Sequence, residues 1–202
     1  MKSLLLLSTL AIASTVSGKF SFATLLTKQK LQDQPSEADL AFEAKVKSNF
    51  AIMKGLIDGY YEGMYKNASY TTQKECLADD SVSSMLIIKK SYDLGNFNLT
   101  NVVVPVHQLA YNFIKFCEFD DALYDMYMWC SKNDCSLATS GNTLLKKIFQ
   151  VTTVANDVAQ NLNGPKPDVN DYAAITEFWR KFALSIGKLS RYATGFDYNQ
   201  LK

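Results

Sequence analysis

Apolar side chains recur every three or four residues along most of this chain, the period of a helix with one buried face. Phe42, Val46, Phe50, Met53, Ile57, Tyr60 and Met64 set that rhythm first. Ser36 precedes them as an N-cap, and Glu37 and Asp39 stand where carboxylates favour the helix dipole. The spacing predicts an amphipathic helix of about 28 residues. A second helix is predicted from Asp80 or Ser81 through Val82, Met85, Leu86 and Tyr92 to a stop at Gly95. A third covers about 101–117, with Pro105 tolerable only in its first turn. The segment from Asp121 to Cys130 is shorter and apolar nearly all round, which predicts a helix buried on all sides. A fifth opens near Asn142 and carries Leu145, Ile148, Phe149, Thr152, Ala155, Val158 and Leu162 before Gly164-Pro165, a strong stop. The last runs from Asp168 or Asn170 through Tyr172, Ile175, Trp179, Phe182, Ile186 and Leu189 to Gly195.

No stretch alternates as a strand, the connectors are short and no internal repeat is visible. The expected fold is therefore all-α, a single-domain antiparallel bundle of about five or six helices. The N-terminus follows another rule. Lys2 precedes an apolar run from Leu4 through Ile12, and small residues end at Val16, Ser17 and Gly18. That order predicts a signal peptide over 1–18 and a mature helical domain over 19–202, with 19–35 reading as an arm or a short helix. The apolar run falls short of the ~20 residues a membrane span needs, and nothing later is longer. No membrane span is expected in the mature chain.

The chain has 21 basic and 20 acidic side chains. Loss of the 18-residue leader takes Lys2 from the 202 residues, leaving 184 residues of near-zero net charge. No block of like charge appears, which argues against nucleic acid or an anionic membrane as a partner. A domain of this size can bury roughly 70% of its unfolded surface, so it does not need disulfides merely to fold. Yet Cys76, Cys117, Cys130 and Cys135 all lie in the mature part, where an oxidising route favours pairing. Of three connectivities, Cys76 with Cys117 and Cys130 with Cys135 is the expected one. Antiparallel second and third helices would return Cys117 to the level of Cys76. The other two cysteines are near enough in sequence to close a small ring. A straight helix from Asp121 to Cys130 rises about 14 Å, too far for Cys117 to reach Cys130 without a sharp reversal. The triplets at Asn67-Ala-Ser69 and Asn98-Leu-Thr100 are N-glycosylation acceptors in such a setting.

Signals for chemistry are few. No C-x2-C pair exists and His107, the only histidine, stands ten residues from the nearest cysteine, so no metal site is expected. No nucleophile setting accompanies His107. Glu118, Asp120, Asp121 and Asp125 crowd one helix start, where caps and dipole partners belong, and they lack a calcium-loop pattern. No catalytic residue and no cofactor is expected, and the chain reads as a non-enzyme. Gly55, Gly59 and Gly63 repeat every four residues and with Ala51 make a smooth stripe along the first helix. Each glycine costs about 0.5 to 1 kcal/mol relative to alanine, so the stripe implies a close backbone contact, within the chain or between two copies.

Four stretches carry a resemblance: GLIDGYYEGMY at Gly55 to Tyr65, ECL at Glu75 to Leu77, WCSKNDC at Trp129 to Cys135 and LLKKIFQVT at Leu144 to Thr152. In them the chain resembles small secreted, helix-rich, four-cysteine proteins of protists, a group with no established activity. The resemblance implies secretion, helices and two disulfides, and it transfers no functional residue. Plant-type pectin methylesterase inhibitors, insect chemosensory proteins and helical cytokines fit less well in cysteine spacing or helix plan.

The expected function is that of a secreted or surface-associated, non-enzymatic protein binding another macromolecule. The alternative is a helical carrier of a small apolar ligand or lipid. Both readings converge on Tyr124, Met126, Met128 and Trp129 as the candidate apolar binding surface, because methionine adapts to varied partners and tryptophan anchors interfaces.

Overall fold

The computed structural model describes residues 36–67 and 70–201. The expected leader and arm lie outside the described residues. Contacts divide the chain into Met1–Ala38 and Asp39–Lys202, and the second unit carries the fold.

Among the described residues there are seven α-helices and no strand. They are α1 Glu37–Tyr65, α2 Asp79–Asp93, α3 Val104–Cys117, α4 Phe119–Lys132, α5 Leu137–Lys146, α6 Ile148–Asn163 and α7 Tyr172–Thr194. The all-α, disulfide-stapled class read from the sequence holds. Pro105 sits in the first turn of α3, where its missing N–H is not needed. A π-helical turn, Leu99–Val103, leads into it, and the Asn98 side chain accepts from Asn101 N–H at 2.8 Å. The fifth predicted helix is two. The backbone turns aside at Lys147, and α5 opens earlier than the apolar period suggests because Ser136 caps the Thr139 N–H.

Directions follow from paired contacts. Ser91 bonds Asn101, and Asn112 Nδ2 donates to Ser81 Oγ at 3.2 Å, so α2 and α3 are antiparallel. Their shared face is polar, with Ser81, Ser84, Ser91 and Asn112 all buried, while Val106, Tyr111 and Ile114 point outward. Asn161 bonds the Phe178 carbonyl, which places α6 and α7 as a second hairpin. In contrast, α1, α4 and α7 run parallel to one another. Register rises together on each: Gly55 meets Thr176 and Arg180, Gly63 meets Leu184 and Lys188, while Tyr61 bonds Ala122 and Tyr65 bonds Asp125.

The glycine stripe makes this trio. A Cβ on Gly59 would overlap the Arg180 carbonyl and come within 2.8 Å of Leu184 N. One on Gly63 would stand 2.8 Å from Lys188 N, and one on Gly187 would stand 3.0 Å from Met64 N. The close contact implied by the sequence is therefore intramolecular, backbone on backbone. Beside it Arg180 bonds Glu62 across the crossing and holds Glu177 with two bonds of 2.8 and 2.9 Å.

Two disulfides close the connections around this trio. Cys76 pairs with Cys117 at a Cα separation of 4.9 Å, and Cys130 pairs with Cys135 at 5.4 Å, the expected connectivity. The first bridges a sequence separation of 41 and the second one of 5. By loop-closure entropy they are worth about 4 and about 2 kcal/mol respectively. Cys76 and Cys117 are each followed by a non-glycine residue in the left-handed region, Leu77 at φ 52° and Glu118 at φ 53°. Such residues cost roughly 1–2 kcal/mol each, together a sum that the longer bridge offsets at about the same size.

Gly59→Ala is expected to lower the melting temperature by more than about 6 °C, since the added methyl must push two main chains apart. Gly141→Ala, in the interior of α5 with open space around it, is expected to leave the melting temperature unchanged or raise it. Circular-dichroism melting of both variants checks the pair of signs.

Candidate functional site

The sequence marks α4 as the functional element, and the structure divides its residues differently. Trp129 is only 6% exposed. Its indole N–H donates to the Thr194 carbonyl at 3.0 Å, and its ring packs edge-on against Phe196. Met126 packs against the same cluster, together with Met64. Met128 is half-buried, whereas Tyr124 is 62% exposed. Tyr124, Met126, Met128 and Trp129 thus form no single surface, and Trp129 belongs to the core. Nor is α4 enclosed on all sides. It lies in the notch between α1 and α7, and its outer face of Leu123, Tyr124 and Tyr127 meets solvent. An apolar circumference is consistent with one-sided burial here, because the exposed side carries tyrosines that keep a hydroxyl in water.

Two recesses flank α4. The first is a groove of about 290 Å³ between the three parallel helices. Leu56, Ile57 and Tyr60 come from α1, Ala122 and Leu123 from α4, and Phe182, Ala183 and Ile186 from α7. It exists because α1 and α7 meet through glycine and leave no bulk along their junction for α4 to pack upon. Leu123, at 58% exposed, stands at its rim. Ala183 lines the groove, and Gly187, four residues on, meets the α1 backbone at Tyr60 and Met64.

The second recess, also about 290 Å³, is lined by Tyr61, Tyr65, Asn67, Tyr70, Glu118, Asp121, Asp125 and Tyr198. Tyr61 is stacked between Tyr65 and Tyr70, with ring centroids 5.3 and 4.4 Å away. The Tyr61 hydroxyl donates to the Glu118 carbonyl and accepts from Ala122 N–H at 2.9 Å. Tyr65 donates to Asp125 at 2.7 Å, and Gln73 donates to the Glu118 carboxylate at 2.7 Å. Burial raises the pKa of all three stacked phenols, and Asp125 raises Tyr65 further. Burial, followed by Asp120, Glu118 and Asp125, also raises the Asp121 carboxyl.

The loop that delivers Tyr70 is pinned from below. Thr72 N–H donates to the buried Asp58 carboxylate at 2.5 Å, and Cys76 bonds the end of α3. Desolvation lifts the Asp58 pKa above its ordinary value, against the pull of Thr72, Lys54 and Arg180.

The remaining sequence candidates line up as follows. Asn67 and Asn98 are both exposed, with Ser69 outside the described residues. His107 is exposed on α3 and lines neither recess. Among the described residues no group of three His, Cys, Asp or Glu side chains is placed to hold a metal ion.

No family model, curated protein or solved structure matches this chain.

Because the folded state raises the Asp58 pKa, it binds that proton more tightly than the unfolded chain does. Its contribution is full below the unfolded value and is lost as pH climbs through the folded one. Asp58→Asn keeps an acceptor for Thr72 and removes the charge. It is expected to melt higher than the parent at about pH 7, with the gap closing by about pH 3. Melting curves at both pH values check this, and a gap that widens toward low pH would reverse the assignment.

Proposed function

We propose that this chain is a secreted, non-enzymatic binding protein that docks a macromolecular partner on the groove between α1, α4 and α7. The carrying observation is the groove itself, an apolar trough with a rim of Leu123 and Ile186 on a surface whose neighbours include the exposed Tyr124 and Tyr127. Such an exposed apolar strip on a soluble domain marks an interaction surface. Rim tyrosines and a central apolar slot are the composition of binding hot spots. The groove is partly open to solvent, and its volume of about 290 Å³ lies at the lower edge of the ~300–1,000 Å³ used for enclosed small molecules. That favours one or two leucine- or phenylalanine-sized side chains projecting from a partner over a carried lipid.

Secretion is supported by the signal-like pattern at 1–18 and by both disulfides. Among the described residues no helix is long and apolar enough to cross a membrane. Asn67 and Asn98, being exposed, are the proposed glycan acceptors.

Native mass spectrometry of the protein isolated from its own producing cells is expected to show a stoichiometric protein complex. Leu123→Asp, at an exposed position, is expected to weaken that complex by about tenfold or more while leaving the melting temperature within about 2 °C. A retained apolar molecule of a few hundred daltons, unaffected by Leu123→Asp, would replace this reading with the carrier.

A further inference from the structure

The turn that joins α2 to α3 carries a second apolar surface, which shares no residue with the groove between α1, α4 and α7. Tyr92, Leu94, Phe97, Leu99 and Val103 are each between 52% and 72% exposed. Tyr92 and Phe97 meet edge-on, with ring centroids 6.0 Å apart. Asp93 is the one charged side chain in this stretch, and Lys89 holds it at 2.7 Å. Single exposed apolar side chains need no explanation, but a run of them with no free charge marks a covered surface.

The triplet Asn98-Leu99-Thr100 stands in the middle of that run, a glycan acceptor pattern. A protein partner or a lipid surface seated here would have to bury whatever Asn98 carries, so the acceptor itself points to sugar as the cover. Asn98 and Thr100 are both exposed. Asn98 Oδ1 accepts from Asn101 N–H at 2.8 Å, and Asn98 Nδ2 donates to Asn96 Oδ1 at 3.1 Å. The amide nitrogen has two hydrogens, so a sugar can replace one while the other keeps Asn96 and the carbonyl keeps Asn101. Attachment therefore costs the native turn no hydrogen bond. Asn67, the other acceptor, lines the tyrosine recess beside Glu118, at the disulfide-bonded end of α3.

We propose that Asn98 carries an N-linked glycan whose first sugars lie over Tyr92, Phe97 and Leu99 and cover the tip of the α2–α3 hairpin. The proposal rests on the secretion argued above, since the glycan donor is met only on that route. There the amide nitrogen attacks the anomeric carbon of a lipid diphosphate oligosaccharide. A C–N bond forms, the C–O bond to phosphate breaks, one amide proton passes to a base of the transferring enzyme and the lipid diphosphate leaves. A pyranose ring packs its C–H face on aromatic rings and keeps its hydroxyls in water, so the attached group is bulky and solubilising together.

Peptide mass mapping of the oxidised protein exported by its own producing cells is expected to find a glycan on Asn98. Thr100→Ala removes the acceptor pattern and leaves the Asn98 cap in place, whereas Thr100→Ser retains both. Thr100→Ala is expected to raise the binding of a hydrophobic fluorescent dye by about twofold or more, with the melting temperature within about 2 °C of the parent's. Thr100→Ser and Asn67→Gln are expected to match the parent. Adding Phe97→Ser to Thr100→Ala is expected to bring the dye signal back down, which separates an uncovered tip from loosened folding. Export with Asn98 unmodified, as a monomer or as a dimer closed through the tip, would overturn the inference and leave secretion standing. A glycan-free Thr100→Ala protein that binds no more dye than the parent, or an equal rise in Asn67→Gln, would overturn it as well. A chain retained in the cell without glycan would overturn both this and secretion.

Discussion

The main chains of α1 and α7 touch at Gly55, Gly59, Gly63 and Gly187 with no side chain between them. From Gly55 to Gly63 this seam runs about 12 Å along α1. Two helices separated by ordinary side chains sit about 8–10 Å apart, and only glycine lets them come closer. The contact replaces the helix propensity surrendered at each glycine with dispersion between two backbones. It also fixes orientation. Carbonyls of α7 fall against the glycines of α1 at one register only, and slipping by one residue would put Asp58 or Tyr60 against the Arg180 carbonyl. The Arg180 bonds to Glu62 and Glu177 reinforce that register at the flank.

Both recesses follow from this seam. A helix laid beside two others that nearly fuse meets a shallow double ridge instead of two separate cylinders, so α4 seats through Ala122 and Trp129 and leaves a trough beside Leu123. On the other flank, α1 presents Tyr61 and Tyr65 one turn apart to the first turns of α4. The Cys76–Cys117 bridge and the Asp58–Thr72 bond bring Tyr70 over the top of that stack. The left-handed residue Glu118 is what separates α3 from α4 within one position. It also places a carbonyl where the Tyr61 hydroxyl can reach it.

The helices were legible because their apolar period is strong, and the disulfide pairing was legible because antiparallel α2 and α3 leave Cys117 little choice. The glycine stripe announced a backbone contact, though its partner was hidden: α7 answers with only one glycine, and the other contacts are to carbonyls of Thr176, Arg180 and Leu184, which any residue carries. The start of α5 was missed because the apolar period opens only near Asn142, whereas the Ser136 cap starts the helix at Leu137. Trp129 read both as core of a helix buried all round and as part of an apolar binding surface, because an all-apolar segment has no period to say which side is inward, and its burial bears out the first reading. The tyrosine recess could not be read at all. Its members come from three separate stretches, around Tyr61 to Tyr70, Glu118 to Asp125 and Tyr198, and the carboxylates among them have an ordinary local use at a helix start.

Native-state hydrogen exchange of the oxidised chain tests the central role of the seam most directly. If α1 and α7 form the element on which the rest is assembled, amides over 55–63 and 180–187 exchange last, at the limit set by global unfolding, after those of the polar-faced α2 and α3 pair. Exchange over 55–63 that precedes exchange in α2 would show that the hairpin survives without the seam, and would contradict the account.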